Sequence, residues 1–379
     1  MQRRDVPVSP TWRTLVVPLV QWLGLTAVLV AVSLLAVNGS RPPRVLAEPP
    51  GGALAEAHNS PFSLASLHQR LPPKALDRVQ AYIRDFQQRR RRVLADSLGR
   101  STKYIEVYKE IFRQSGLPEE LAYLPIIESG FNPRAVSPAQ AVGVWQFTEE
   151  TGRRFNLVRN HWYDLRRDPM GSARAAAAYL KHLHATFNNW ELALAAYNSG
   201  AGTVSWALRV NRRAHQPEQY WALDLPEETR NYVPAFLAAV LIAKNPQAFG
   251  FHQIRFAPQV AYDRIKVTPG LGLSRIAETL GVQNDDLLDL NPELVRGAVP
   301  PGDVPYDLRI PVGMRNMLPS KLLGSPVRLR DWVLHLVEDA DTLQELSDRF
   351  RALPASIRKV NRIQSNDDLS RKQLLIIPL

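Results

Sequence analysis

The chain contains no cysteine. Disulfide scaffolds, thiolate nucleophiles, Cys-based zinc or iron–sulfur sites and anchoring through a lipidated cysteine are all excluded. Other metal spacings are missing as well. There is no His-Glu-x-x-His, and His182 and His184 stand two apart on a predicted helix and point to different faces. No metal and no cofactor are expected. No helix-turn-helix, zinc-finger or RNA-recognition signature is visible, so nucleic acid is not an expected partner. Strand-like alternation of any length is missing between Ser63 and Lys244, which predicts an all-helical unit there.

What is present is a 379-residue chain with a formal net charge of +11 and a pI near 10.0. That length admits two or three domains, and that charge favours polyanionic surfaces such as an anionic membrane or wall. Leu15 to Val37 is almost unbroken apolar sequence, preceded by Arg3, Arg4 and Arg13. Residues 1–14 are therefore expected to stay cytoplasmic, and 15–37 to cross the bilayer as an anchor or to act as a cleaved signal sequence. On either reading, everything after Asn38 is exported. Residues 38–62 read as a Pro/Gly/Ala/Ser-rich linker. Within the helical region the Arg89–Arg92 run reads as a solvated helix face.

The stretch Leu117–Gly152 has Glu128 as its chemical centre. Pro118 suits a helix start, with Glu119 and Glu120 beside its positive end. Leu121, Leu124 and Ile127 recur at helical spacing, and Gly130 and Pro133 end the helix. Glu128 then falls in the last turn, where free carbonyls disfavour a carboxylate. Apolar Ile126, Ile127 and Phe131 disfavour it further by desolvation. Both effects raise a carboxyl pKa, as a general acid requires. A lone Glu at a helix end also reads as a surface cap, and its surroundings decide between the two.

Those surroundings are Glu128-Ser129-Gly130-Phe131-Asn132-Pro133, Gly143-Val144-Trp145-Gln146-Phe147, Ala195-Ala196-Tyr197-Asn198-Ser199-Gly200 and Glu228-Thr229-Arg230-Asn231-Tyr232-Val233-Pro234, in that order. Together they resemble the lytic transglycosylases of bacterial cell walls, most closely the membrane-bound type D branch with downstream LysM modules. The resemblance implies a mainly α fold, with a lysozyme-like all-helical catalytic domain over 63–250. After Phe249 two diverged copies of one unit follow. One spans 264–313 with Leu290-Asn291-Pro292 and Leu308-Arg309-Ile310-Pro311. The other spans 331–379 with Asp341-Thr342-Leu343, Val360-Asn361 and Leu375-Ile376-Ile377-Pro378. Both are expected to be small βααβ LysM-like modules. The first is degenerate, lacks the Asp-Thr-Leu turn, and reads either as a glycan binder or as a packing spacer. In the second, Asp341, Thr342 and Leu343 are the candidate glycan-binding residues.

The same resemblance implies an enzyme that cuts the MurNAc–GlcNAc bond of peptidoglycan strands without water and leaves 1,6-anhydroMurNAc ends. The setting is the cell envelope, outside the cytoplasmic membrane. Glu128 is the catalytic candidate. Ser129, Gly143, Gln146, Tyr197, Asn198 and Tyr232 are the substrate-binding candidates: Gly143 lets the glycan approach the backbone, Tyr197 and Asn198 hold the acetamido group and the acid in register, and Tyr232 sets its hydroxyl beside Glu128. Most glycosidases use two carboxylates, but Asp164 and Asp168 lie in a separate motif with nothing to place them opposite Glu128. Asp168 and Ser172 read as braces of the turn into the following helix. Gln140 stands where relatives usually carry Gly, and a Gly there permits a backbone angle that Gln resists. A hydrolytic muramidase and a non-catalytic peptidoglycan-binding scaffold remain alternatives.

Overall fold

The computed structural model describes residues 61–62, 64–300, 304–317, 332–338, 341–361, 363, 369 and 374–378. The expected cytoplasmic terminus and the apolar 15–37 run lie outside the described residues, as does all of the linker but its last two positions. Among the described residues no helix is long and apolar enough to cross a membrane.

The first body is helical. It comprises α1 (Leu64–Arg70), α2 (Pro73–Gln87), α3 (Arg91–Ser101), α4 (Ile105–Gln114), α5 (Pro125–Glu128), α6 (Glu149–Arg154), α7 (Pro169–Phe187), α8 (Trp190–Ser199), α9 (Ala201–Arg213) and α10 (Glu227–Lys244). α10 is buried on nearly every side from Tyr232 to Ile242, and α2, α5 and α8 pack against it. In α2, Ala75, Val79, Ile83 and Phe86 form the inward stripe. The alanines of α7 and α8, among them Ala173, Ala176, Ala193 and Ala196, are fully buried and let these helix backbones come close. Asp168 caps α7, accepting from the Met170 N–H at 3.2 Å, and Asn189 caps α8, accepting from Leu192 N–H at 2.9 Å. Ser172 braces the same turn through its 2.6 Å bond to the Asp168 carbonyl.

One helix differs from the sequence expectation, and another carries an internal proline. The segment opening at Pro118 is split into a 3₁₀ turn over Glu119–Tyr123 and the short α5, because Pro125 supplies no N–H to continue one α-helix. α10 begins at Glu227 and runs straight through Pro234. The carbonyl that Pro234 leaves without a helical donor is that of Arg230. It accepts instead from the Tyr220 hydroxyl at 2.8 Å and from the Arg78 guanidinium. The arginine run is also more than a solvated face. Arg90 lies over the rings of Phe86 and Tyr82, and Arg91 bonds the Gly250 carbonyl and covers Phe251. Beyond Phe249 the chain stays on this body: Ala257 N–H bonds Gly99 O at 3.0 Å, and Val260 N–H bonds Lys103 O at 3.1 Å.

The segment between α5 and α6 forms a loop held by the bridges Val136↔Val142 and Val142↔Phe147. Its turn closes through Gln140 N–H to Ser137 O at 2.8 Å, and Gln140 adopts φ +60°, the left-handed region expected of the Gly it replaces. Gly143 has φ +86°, and a Cβ there would sit 2.0 Å from the Arg166 carbonyl oxygen. The space that a Cβ would take at Gly143 is thus filled by this chain's own backbone at Arg166.

Two small units follow. The first is β1 (Asp263–Val267), α11 (Leu273–Leu280), α12 (Asn284–Leu290) and β2 (Tyr306–Ile310). The second is β3 (Trp332–Leu336), α13 (Leu343–Phe350), α14 (Pro354–Asn361) and β4 (Leu374–Pro378). Each closes on a two-stranded antiparallel sheet, with Ile265 opposite Leu308 in one and Val333 opposite Ile377 in the other. The repeat extends to side-chain detail. Asn291 donates to the Leu287 and Arg309 carbonyls at 2.9 and 2.8 Å and accepts from Arg309 N–H at 3.0 Å. Asn361 does the same with Ile357 O, Ile376 O and Ile376 N–H, at 2.8, 2.6 and 2.7 Å. In both units one buried amide ties the second helix to the closing strand.

Two outcomes are expected. Asn361→Ala removes three bonds and strands buried backbone groups, so it costs about 2–4 kcal/mol. Calorimetry should show a lower transition for the second unit and an unchanged one for the helical body. Gln140→Gly relieves the left-handed backbone at some cost in chain entropy, for a net gain of about 0.5–1 kcal/mol, read as a higher urea midpoint.

Candidate active site

Glu128 is the last residue of α5, and Ser129 ends the helix. Gly130 and Phe131 follow, both with positive φ, and turn the chain away. The carboxyl is partly exposed, yet densely enclosed on its protein side. Desolvation pushes its pKa up to about 7; the hydrogen bond from Tyr232 works against this rise, and the charge of Glu228 adds to it. The Tyr232 hydroxyl donates to Glu128 Oε1. Tyr232 is 8% exposed and sits in the first half of α10. Its position follows from the packing of α10 on α5.

Ser129 is buried. Its hydroxyl donates to the Val144 carbonyl at 2.8 Å and accepts from Asn132 N–H at 3.2 Å, tying the acid's helix end to the 135–147 loop. The Tyr197 hydroxyl donates to the Trp145 carbonyl at 2.8 Å, so α8 grips the same loop from the other side. Burial raises the Tyr197 phenol well above its usual value, and the Glu128 charge adds to this. Trp145 is fully buried and stacks on Phe112. Gln146 has φ +49°; its Nε2 donates to Gly143 O at 2.8 Å, while its Oε1 has no partner among the described residues.

Glu128, Ser129, Gly143, Gln146, Tyr197, Asn198 and Tyr232 therefore share one region, but not every contact is the expected one. Tyr197 and Asn198 do not bond Glu128. Asn198 donates to Glu228 Oε1 at 3.1 Å and accepts from the Thr229 hydroxyl at 2.8 Å, which joins the end of α8 to the start of α10. Glu228 is the residue that sequence reasoning missed. It is exposed, lies in the last motif, and is close enough to act on Glu128 through its charge. Its place one turn before Tyr232 on the same helix was the available signal. Asp164 and Asp168 stand elsewhere: Asp164 pairs with the buried Arg166 at 2.7 Å and Asp168 pairs with Arg309.

In the second βααβ unit the candidate glycan-binding side chains have internal duties. The Asp341 carboxylate bonds His335 Nε2 at 2.6 Å and Glu338 N–H at 2.8 Å, and these contacts hold its pKa below the usual carboxylate value. Thr342 forms a capping box with Glu345, and Leu343 is buried in the unit's core. Of these three only Thr342 is well exposed. Among the described residues no cluster of His, Asp or Glu has the makings of a metal site.

Comparison with known proteins agrees with this division of the chain. The family model "Transglycosylase SLT domain" matches residues 107–219, "Lytic transglycosylase MltD, LysM-like domain" matches 261–324, and "LysM domain" matches 335–378. Membrane-bound lytic murein transglycosylase D of Escherichia coli is 29% identical over 266 residues, which is 67% of this chain and 59% of that protein. A putative tributyltin chloride resistance protein of an Alteromonas species is 38% identical over 110 residues, covering 29% of this chain and 53% of the relative. Membrane-bound lytic murein transglycosylase F of Alcanivorax borkumensis is 32% identical over 127 residues, or 31% of this chain and 26% of the relative. The chain thus spans about 59% of the length of the type D relative it matches. With these matches laid on the fold, the helical body carries a match to the SLT transglycosylase domain, the first βααβ unit a match to the MltD LysM-like domain and the second a match to LysM.

Proposed function

We propose that this protein is a peptidoglycan lytic transglycosylase in which Glu128 serves first as general acid and then as general base. The observation that carries this reading is a single carboxyl, raised to a pKa of about 7 by burial, with a phenol hydroxyl donating to it. A group with that pKa is substantially protonated at neutral pH and still returns easily to the carboxylate.

Glu128 protonates the oxygen between MurNAc and GlcNAc, and the C1–O bond breaks. The substrate's 2-acetamido group supports the electron-poor C1, the task a second carboxylate performs in other glycosidases. The sugar's C6 hydroxyl then gives its proton to the Glu128 carboxylate while its oxygen bonds C1. The strand ends in 1,6-anhydroMurNAc, no water is consumed, and Glu128 is protonated again. The Tyr232 hydroxyl stabilises the carboxylate in the middle of this cycle. Gln146, half-buried on the loop beside Glu128, is the candidate to contact the glycan. Asn198, fixed by Glu228 and Thr229, is the candidate to orient the acetamido group.

The setting proposed is the cell envelope, with the apolar 15–37 segment as membrane anchor and the LysM domain directing the enzyme to glycan. Two of the relatives named above, the type D and type F transglycosylases, are membrane-bound by their names. A second reading, hydrolysis on the same fold, is favoured by Glu228, a second carboxylate near the acid that could order a water.

Two experiments decide. Digestion of intact sacculi with mass analysis of the fragments is expected to give anhydro ends, lighter than reducing ends by one water. Reducing ends alone establish the hydrolytic reading. Glu128→Gln is expected to bind sacculi and release nothing; undiminished release overturns the assignment of the acid. Secondly, activity needs protonated Glu128, so the rate falls as pH rises through about 7. Tyr232→Phe removes a bond that favours the carboxylate, so this limb moves to higher pH. The loss of one hydrogen bond to a charged group also lowers the rate roughly ten-fold even below the limb.

A further inference from the structure

The first LysM-like unit is joined to the helical body by more than its linker. Residues 162–164 of the helical body pair with 293–295 of the unit like a short strand. Tyr163 bridges Leu294, Asp164 N–H bonds Glu293 O at 2.9 Å, and Val295 N–H bonds Trp162 O at 3.0 Å. Beside this ladder lies a buried ionic cluster. The Arg309 side chain is 7% exposed; it contacts both Glu293 oxygens at 3.0 Å and the Leu290 carbonyl at 3.0 Å, and it pairs across the boundary with Asp168. Asp168 is the cap of α7. An arginine desolvated to this degree is held by its two carboxylates, and removal of either side leaves buried charge unpaired.

The cluster leads to the catalytic region in one more step. Between Asp164 and Asp168 lies Arg166, whose guanidinium is 3% exposed. It pairs with Asp164 and donates to the Gln140 and Phe147 carbonyls at 3.1 and 3.2 Å. Its own carbonyl fills the space beside Gly143. The loop so held, 135–147, accepts from Ser129 and Tyr197 through its Val144 and Trp145 carbonyls, and it carries Gln146. Every link from Arg309 to the residue after Glu128 is a hydrogen bond, an ion pair, a ladder or a tight packing contact.

We infer that the first LysM-like unit is a built-in part of the catalytic body and that Arg309 is a positioning residue, fixing the 162–168 segment and through it the 135–147 loop beside Glu128. This rests on the proposed role of Glu128 only in assigning the loop to catalysis; the mechanical coupling stands without it. The unit's closing strand thereby acts as a clamp on the acid's surroundings rather than as a free glycan-binding arm.

Hydrogen exchange on the full chain tests the coupling, and sacculus digestion tests its consequence. The Val142, Gly143 and Phe147 amides report on the loop, since they bond Phe147 O, Ala135 O and Val142 O. Arg309→Met is expected to lower their protection ten-fold or more and to slow digestion by a similar factor. The α10 amides should stay protected, and retention on sacculi should be unchanged. Arg309→Lys keeps a cation in reach of one carboxylate and should recover part of both losses. Arg264→Met breaks an exposed pair with Asp307 in the same unit and should change neither. If Arg309→Met leaves loop protection and digestion at wild-type values, the inference fails. It fails equally if the amides of α11 lose protection while those of the loop keep theirs. Should α11 and the loop lose protection together, with α10 intact, the coupling is established. If the wild-type chain cleaves nothing, the function proposed above falls, and the exchange data still decide whether the clamp exists.

Discussion

The site depends on a carboxyl kept from water by its own fold while a phenol on another helix faces it. Glu128 gets its position from a helix that ends at once, because Gly130 and Phe131 turn the chain with positive φ. Tyr232 gets its position from α10, the most buried helix of the body. Burial and the hydrogen bond act in opposite directions on the same proton: desolvation favours the acid, the phenol favours the carboxylate. A group poised between the two near neutrality can both give and recover a proton. Pro234 is tolerated inside α10 because the carbonyl it orphans is met by Tyr220 and Arg78, and the helix that carries Tyr232 continues to Lys244.

Backbone strain is concentrated in the same region. Phe131, Gln140 and Gln146 all lie at positive φ without being glycine, within a short stretch around the acid. Such conformations cost roughly 1–2 kcal/mol each and persist only where surrounding contacts enforce them. Here the enforcing contacts are visible. Arg166 fastens the Gln140 and Phe147 carbonyls, and Ser129 and Tyr197 fasten those of Val144 and Trp145. The loop is held from beneath by a salt-bridged arginine and from both flanks by motif hydroxyls.

This division explains what the sequence disclosed and what it withheld. The helical body, the βααβ repeats and Glu128 at a helix end were legible because they rest on local spacing, caps and breakers. The left-handed angle at Gln140 was legible too, from the residue type expected there. The rest depends on partners far along the chain. Nothing near Gly143 announces that the Arg166 carbonyl fills its missing side chain, and nothing near Asp168 announces Arg309. Asp341 is a glycan-binding candidate by its motif, and only the fold shows His335 and Glu338 bonding its carboxylate. Glu228 was overlooked for a different reason. It reads as one of two acidic residues at a helix start, a common dipole arrangement, and gains interest only once α8 and α10 are seen side by side.

The two repeats show how one scaffold is adapted to one boundary. Asn291 and Asn361 hold equivalent strand positions, which are Arg309 in the first unit and Ile376 in the second. Arg309 is turned to Asp168 of the helical body. Ile376 packs with Trp162 of that body and Ala298 of the first unit. Arg296 completes the junction, donating to His161 O at 3.2 Å and to Val360 O at 3.1 Å, and so touches all three bodies. The same place in the repeat has thus been used twice at the junction, once with a paired charge and once with an apolar side chain. The chemistry differs because the neighbours differ: the first position meets two carboxylates that must be neutralised, the second a tryptophan that must be covered. Segment 160–168 therefore lies between both C-terminal units and the loop beside Glu128, and the helical body and the two βααβ units are joined through it.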